Sequence, residues 1–143
     1  MQDRFKFKVL DTTTDKLYNS LEDLSKEEEN AHFLLAQDGI IIKKYYNNGE
    51  MQLIRMTQYK PIFCTGLKDK NGKLIYEGDI VHKSGSKFNG EKILSEISWC
   101  EASAHFVYSD YIGIGGSHEF RTGTALKMEV LGNIYKNPEL VRK

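Results

Sequence analysis

The residue types most able to do chemistry, histidine and cysteine, are few and widely spaced in this sequence. The four histidines are His32, His82, His105 and His118, and the two cysteines are Cys64 and Cys100. No two histidines have the short spacing that places a pair of metal ligands on one face of a helix or strand, and no CxxC motif occurs. We therefore predict neither a metal site nor a cofactor.

Three arrangements could support catalysis, and each has a plainer interpretation. Cys100 and His105 face each other across a predicted hairpin, but their proximity follows from the hairpin itself. Glu77 and Asp79 flank a glycine, and carboxylates on an exposed turn usually serve solvation and turn hydrogen bonding. The glycine-rich run at residues 113–117 lacks the lysine and the Ser/Thr of a phosphate-binding loop, so it predicts a mobile loop. We expect no enzymatic activity, and an enzyme of unknown class is the minor alternative.

Basic and aromatic residues concentrate in the middle of the chain. The 20 Lys and Arg residues balance the 20 Asp and Glu residues overall, but residues 60–92 hold seven lysines against four acidic residues. Small barrels commonly hold single-stranded nucleic acid by pairing lysines with phosphates and stacking aromatic rings on bases. The residues that could do this here are Lys68, Lys70, Lys73, Tyr76, Lys83, Lys87 and Phe88. In the plainer interpretation the lysines solubilise exposed turns and the aromatic rings face inward.

Short apolar runs separated by turn signals predict a mainly β protein with one or two short helices. Asp-Gly and Asn-Gly pairs between residues 32 and 59 predict a β-meander whose aromatic and branched residues supply core. Ser20 can cap a short helix that follows it. After a polar loop at residues 84–91, two further runs predict another hairpin. Near the end, Asn137 can cap a helix that begins at Pro138.

These elements predict an N-terminal β-rich lobe over residues 1–58 and a small barrel over residues 59–143. Strands of five to eight residues with closely spaced turns favour a barrel or rolled sheet. The N-terminus, MQDRFKFKVL, is charged from Asp3 onward and does not resemble a secretory signal. Apolar runs stop after three or four residues, too few for a membrane span. We therefore expect a cytoplasmic protein with two reduced thiols and no membrane contact.

Two motifs connect the sequence to a known family. CTGLKDKNGKLIYEGDIV at residues 64–81 and EVLGNIYKNPEL at residues 129–140 follow the opening KFKVLD. In this order they resemble the YopX family of bacteriophage and prophage proteins over essentially the whole chain. The sequence departs from the family at Leu10, where a tryptophan is usual, and at Phe63-Cys64, where a polar-aromatic pair is usual; these are packing positions. The resemblance implies an SH3-like barrel in the C-terminal half and a more variable β-rich lobe before it. It implies no particular activity, because the family has no established one.

A protein partner is the leading functional expectation. Small barrels leave sheet edges open, and an open edge can pair with another chain or with a second copy, so a homo-oligomer is left open. Phage accessory proteins often act on host proteins, and by this family analogy the expected target is a host or phage protein. Single-stranded nucleic acid is the alternative, for which glutamate at Lys68, Lys70 and Lys73 should abolish binding and salt should weaken it.

Overall fold

A computed structural model describes residues 5–111 and 116–141 of the chain. It is mainly β with two short helices, which confirms the predicted fold class. The chain forms two compact units: the N-terminal unit, Phe7–Ile62, and the C-terminal unit, which comprises residues 5–6 and 63–141. Each unit has a hydrophobic core of its own. None of the helices in the described ranges has the length and apolar character needed to cross a membrane.

The N-terminal unit consists of two small antiparallel sheets and a helix. Its elements are β1 (Phe7–Asp11), β2 (Lys16–Tyr18), α1 (Leu21–Ser25), β3 (Ala31–Leu35), β4 (Ile41–Asn47) and β5 (Glu50–Arg55), after which β6 (Tyr59–Lys68) begins. β1 lies between β2 and β6, and β3, β4 and β5 form a three-stranded sheet in chain order. The core between them holds Val9, Leu24, Ala31, Phe33 and Ile41.

Helix α1 begins where the sequence predicts it. The Ser20 side chain accepts a hydrogen bond from the backbone N–H of Asp23 at 3.1 Å, which satisfies one of the free donors of the first turn. Only Leu24 is fully buried, so one apolar residue anchors the helix. The acidic run that follows is exposed and lies outside the helix, because it offers no apolar side chain to the core.

The C-terminal unit is a five-stranded antiparallel sheet that curls into half of a small barrel. Its elements after β6 are β7 (Leu74–Tyr76), β8 (Asp79–Phe88), β9 (Glu91–Cys100), β10 (His105–Asp110), β11 (Ser117–Glu119), α2 (Thr122–Ala125), β12 (Met128–Asn133) and a 3-10 helix (Pro138–Leu140). The strand order is β11-β10-β9-β8-β12, and β7 pairs with β6. The core holds Ile75, Val81, Ile97, Phe106, Phe120, Ala125 and Met128.

Asp69 ties the turn between β6 and β7 to β12. It is 2% exposed, and its two carboxylate oxygens accept hydrogen bonds from the backbone N–H groups of Asn71, Lys73 and Val130 at 2.8–2.9 Å. Burial alone would raise the pKa of Asp69, but the donors of Val130, Lys73 and Asn71 outweigh it, so that pKa is below its usual value of 3.8. The first family motif thereby holds the second through one buried carboxylate.

Gly78 makes the second link between the two motifs. Its φ of +85° lies in the left-handed region, and a Cβ atom there would come within 2.7 Å of the Tyr135 ring. Its backbone N–H donates to the Ile97 carbonyl oxygen at 2.7 Å, and its carbonyl oxygen accepts from the Ile134 backbone N–H at 2.9 Å. Gly72, in the turn between β6 and β7, and Gly66, within β6 where its pairing with β7 is irregular, also have positive φ.

The prediction of a polar loop at residues 84–91 is wrong, because most of this segment is strand. β8 continues to Phe88, and the two-residue turn Asn89-Gly90 leads directly into β9. Both turn residues have positive φ, 52° and 81°, which is the conformation that tight hairpins require. Backbone pairing with β9 therefore prevails over the polar composition of the segment.

Other predictions of detail fail for local reasons. Asp79 is not an exposed turn carboxylate, since it is 5% exposed and its Oδ2 accepts from the Tyr76 backbone N–H at 2.8 Å. A 3-10 helix does begin at Pro138, but Asn137 does not cap it, and its Oδ1 instead accepts from the Asn133 backbone N–H at 3.2 Å. In the predicted loop from Gly113 to Ser117, residues 113–115 lie outside the described ranges.

Candidate functional site

Three of the predicted binding lysines lie together at the end of β6 and in the following turn. Lys68 is the last residue of β6, and Lys70 and Lys73 lie in the turn to β7; all three are exposed. The Lys70 ammonium group lies 3.5 Å from Glu129 of β12, a surface ion pair of small energetic value. Their placement on an exposed turn is what the plainer, solubilising interpretation also predicts.

The other four predicted binding residues are distributed along β7 and β8. Tyr76 is half-buried on β7, opposite Cys64. Lys83 is half-buried opposite Met128, whose carbonyl oxygen accepts from the Lys70 backbone N–H, so Lys83 and Lys70 flank the start of β12. Lys87 and Phe88 are exposed at the far end of β8, roughly 13 Å beyond Lys83 along a strand. The structure thus divides these residues into separate groups.

Lys87 and Phe88 belong to a two-stranded ribbon, residues 85–93, that extends beyond its neighbours. The pairing of β8 with β12 ends at Lys83, and that of β9 with β10 ends at Ser95, so no other described strand pairs with the ribbon. Lys87 lies directly opposite Lys92, and Phe88 at the tip is 44% exposed. Two like charges in one cross-strand pair repel each other, and an anion would relieve that repulsion.

The candidate catalytic groups do not form a hydrogen-bonded dyad. His105 is the cross-strand partner of Cys100, but its Nδ1 lies 3.0 Å from the Phe106 carbonyl oxygen. Hydrogen bonds from Ser103 lower the pKa of the Cys100 thiol. Both cysteines are free thiols, and Cys64 is buried. Among the described residues, no group of three or more His, Cys, Asp or Glu side chains could hold a metal ion.

The largest unexplained feature is the face of the β3–β4–β5 sheet that points away from the core, here called the outer face. Phe33 and Ile41 are buried on the inner face, so the alternate residues of each strand point outward. The apolar residues of this face are neighbours: Leu34 pairs with Ile42, Tyr46 pairs with Met51, and Leu53 follows Met51 on the same face of β5. Four of them, all but Ile42, are 49–57% exposed.

The outer face carries two basic residues and one histidine among its strands. They are His32, Lys44 and Arg55, and no acidic residue of β3, β4 or β5 points to this side. Arg55 donates to the Asp38 carboxylate at 2.9 Å in an exposed ion pair, and this hydrogen bond, with that from the Ile40 backbone N–H, lowers the pKa of Asp38. Neither His32 nor Lys44 has an ion-pair partner within the described ranges. A shallow groove runs from this face to Leu21 and Glu22 of α1.

Sequence reasoning missed the outer face because it assigned the apolar residues of the meander to the core. That assignment is wrong for the aromatic and branched residues Leu34, Tyr46 and Leu53, and Met51 lies exposed beside them. A signal was available: the apolar pairs Leu34-Leu35, Ile41-Ile42, Tyr45-Tyr46 and Leu53-Ile54 are consecutive in sequence. Because side chains alternate along a strand, each such pair places one apolar residue on each face. The core covers only one face of this sheet. A second apolar face therefore indicates a surface that contacts another molecule.

Comparisons with known proteins add the following findings. The sequence model of a family described as YopX protein matches residues 6–142. Protein EF1440 from Enterococcus faecalis is similar in structure, with 23% identity, a TM-score of 0.57 and coverage of 96% of this chain and 97% of that chain. Protein yopX from Bacillus subtilis is also similar, with 15% identity, a TM-score of 0.51 and coverage of 97% and 99%. At these identities the two likenesses show a shared fold. No curated protein matches the chain.

Proposed function

This chain belongs to the YopX family, and from that premise we propose that it is a non-catalytic protein-interaction module that binds a host or phage protein through the outer face. The observation that carries the proposal is the contiguity of five large apolar side chains on a solvent-facing side of the sheet. Extended apolar patches bounded by polar residues are typical of contact sites, whereas single exposed apolar residues are ordinary.

The physical reason for a partner is the free energy of removing this surface from water. Burial of apolar surface contributes roughly 25 cal/mol per Å², so covering four half-exposed large side chains is a substantial driving force. Lys44 lies on the central strand between Ile42 and Tyr46, and its aliphatic stem can pack along these side chains while its ammonium group extends to solvent. Apolar side chains interspersed with a few polar groups are the usual composition of a protein–protein contact.

The first experiment is a pull-down from bacterial host lysate that compares the wild-type chain with Met51→Glu. We expect one discrete protein to be retained by the wild type, whether or not the lysate is treated with nuclease. Met51→Glu should lower its recovery by about tenfold or more, since a carboxylate enclosed in an apolar contact loses its hydration. Met51 is 51% exposed, so the substitution should leave the fold intact.

Leu126→Glu is the matched control. Leu126 is 58% exposed, but it follows helix α2 in the C-terminal unit, whereas the outer face belongs to the N-terminal unit. Recovery with Leu126→Glu should equal that of the wild type. Equal recovery with Met51→Glu, or loss of the protein on nuclease treatment, would refute the proposed surface.

The ribbon supports a second candidate function, binding of single-stranded nucleic acid. Its support is the opposed pair Lys87 and Lys92 beside an exposed aromatic ring, since lysines neutralise phosphates and rings stack on bases. The turn lysines, Lys68, Lys70 and Lys73, could extend the contact or be independent of it. The two candidate functions use different surfaces, so each can be tested separately.

This second function makes a quantitative prediction about salt. The logarithm of the association constant for a fluorescent single-stranded oligonucleotide should fall linearly with the logarithm of the salt concentration. The slope should be about −0.7 for each phosphate contact. Replacing Lys87 and Lys92 with alanine should reduce that slope by about 1.4, because two contacts are lost. Lys136→Ala, an exposed lysine beyond β12, is the control and should change nothing. An unchanged slope in the double variant would remove the ribbon from consideration.

A further inference from the structure

We propose that β5 takes up an extended, acidic segment of the partner protein as a fourth strand of the β3–β4–β5 sheet. This inference rests on the proposed function and names the mode of binding and the chemistry of the segment. Strand addition supplies affinity through backbone hydrogen bonds, while alternate side chains of the added strand supply specificity. Three observations carry the inference: the direction of the free backbone groups of β5, the absence of edge protection, and the charge of the outer face.

The backbone groups of Met51, Leu53 and Arg55 point away from β4. The Met56 N–H donates to the Ile41 carbonyl oxygen at 2.8 Å, which marks that pair as hydrogen-bonded. Hydrogen-bonded pairs alternate along an antiparallel ladder, so the Ile54, Gln52 and Glu50 pairs with β4 are hydrogen-bonded too. The two-residue turn Asn48-Gly49, with φ of 53° and 81°, connects Asn47 to Glu50, and a tight turn of this kind joins a hydrogen-bonded pair. The intervening residues therefore direct their N–H and C=O groups to the open edge.

On the edges of β3 and β12 a backbone N–H group has a partner outside the sheet, whereas among the described residues no backbone group of β5 has one. The Ser25 hydroxyl of α1 accepts from the Phe33 N–H of β3 at 3.4 Å. On β12, the Val130 N–H donates to Asp69 at 2.9 Å. β5 is hydrogen-bonded to β4 alone, contains no proline or lysine, and pairs without a bulge; its two charged residues, Glu50 and Arg55, lie at its ends. Residues 51–54 between them carry none of the usual protections of a natural edge strand, which indicates a stretch that can become paired.

The side chains beside β5 specify the segment that fits. An added strand places every second residue on the outer face, opposite Met51, Leu53 and Arg55. Apolar residues suit the first two positions, and a carboxylate suits Arg55, whose guanidinium group has donors beyond the one given to Asp38. An antiparallel arrangement, like the rest of this sheet, gives the order acidic-x-apolar-x-apolar. Lys44, one strand away, favours acidic residues further.

A second copy of this chain fits the edge less well. In a twofold pairing that uses all three free residues, Leu53 lies opposite Leu53 of the other copy and Arg55 lies opposite Met51. Neither arginine then gains a carboxylate, and both copies bring the same basic residues, Lys44 and Arg55, to one sheet face. Arg55 of each copy is already paired with Asp38, so the like charge that opposes association is that of Lys44, and an acidic segment relieves it. The charge pattern therefore favours a different chain.

The test is selection of a displayed library of random twelve-residue peptides on the wild-type chain, on Leu53→Pro and on Leu53→Ala. Proline lacks the N–H that strand addition needs, yet it is tolerated on an edge where that N–H faces solvent. Leu53→Ala removes the same side chain and keeps the N–H. We expect peptides with the order acidic-x-apolar-x-apolar to be enriched on the wild type, to bind Leu53→Ala slightly more weakly, and to lose about tenfold or more on Leu53→Pro.

Amide hydrogen exchange on the wild-type chain tests the mode without a substitution. In the free protein the amides of Met51, Leu53 and Arg55 should exchange rapidly, while those of Gln52 and Ile54 are protected by β4. A selected peptide should protect the first three. Strand addition is overturned if these amides are unaffected, if Leu53→Pro binds as well as Leu53→Ala, or if no alternating peptide is enriched.

The remaining outcomes separate this inference from the proposed function. A concentration-dependent dimer of the wild type that Leu53→Pro abolishes would assign the edge to a second copy and overturn the acidic segment. Alternating peptides without acidic residues would overturn the charge argument in the same way. If strand addition fails while Met51→Glu still loses the partner in the pull-down, the outer face binds by another mode and the proposed function stands.

Discussion

Gly78→Ala should lower the free energy of unfolding by about 3 kcal/mol, one of the largest effects of any single methyl group in this chain. Two costs combine at this position. A φ of +85° is unfavourable for any residue with a Cβ, by roughly 1–2 kcal/mol. The new methyl group would also lie 2.7 Å from the Tyr135 ring, so the ring or the backbone must move. Urea denaturation followed by circular dichroism measures the difference.

Gly72→Ala separates the two costs. Its φ is +80°, almost the same, but no atom lies within 4 Å of the added methyl group. We therefore expect a loss of only about 1–2 kcal/mol, from the backbone alone. Equal losses at Gly78 and Gly72 would mean that the close approach of Tyr135 to Gly78 has no energetic weight.

Asp69→Ala should be at least as damaging, with a loss of about 4 kcal/mol. The substitution leaves the three backbone donors of Asn71, Lys73 and Val130 without their acceptor in a place that water hardly reaches. Each orphaned buried donor costs roughly 1–3 kcal/mol, and some of this is recovered if the turn opens to solvent. Glu101→Ala, a carboxylate exposed on the turn between β9 and β10, is the control and should cost less than about 0.5 kcal/mol.

The same carboxylate gives a pH dependence with a definite sign. Because the folded-state pKa of Asp69 is below 3.8, its ionised form stabilises the fold at every pH above that value. The contribution is lost as the pH falls below 3.8 and through the lower folded-state pKa. The stability difference between the wild type and Asp69→Asn should therefore be constant above about pH 5 and shrink in acid. A difference that grows in acid would contradict the assigned hydrogen bonds.

The elements of the fold were predictable because local signals decide them. Asn-Gly pairs fix tight turns through positive φ, and Ser20 caps α1, so hairpins and helix start follow from two or three residues each. The segment at residues 84–91 was not predictable from composition, because its strand is formed by pairing with β9 and not by its own propensity. Nor could the sequence show that Asp79 is buried, since a turn carboxylate can face either way.

The candidate site was less predictable than the fold for a related reason. Lysines are recognisable in a sequence, and that drew attention to Lys68, Lys70 and Lys73, although an exposed turn is also where solubilising lysines occur. An exposed apolar side chain such as Leu53 looks in sequence like a core residue. Alternation along a strand places Leu53 and Met51 on one face, but only their exposure in the structure shows that this face has no core beneath it.

The continuity of β6 has a consequence for any attempt to divide this protein. The boundary between the two units falls at Ile62 and Phe63, in the middle of a ten-residue strand, where domains of other proteins are joined by an irregular linker. A fragment cut at that point would end in half a strand, and its former sheet neighbours would acquire an unpaired edge. We therefore expect isolated halves to aggregate, and proteolysis of the native chain to spare this junction while it nicks exposed turns.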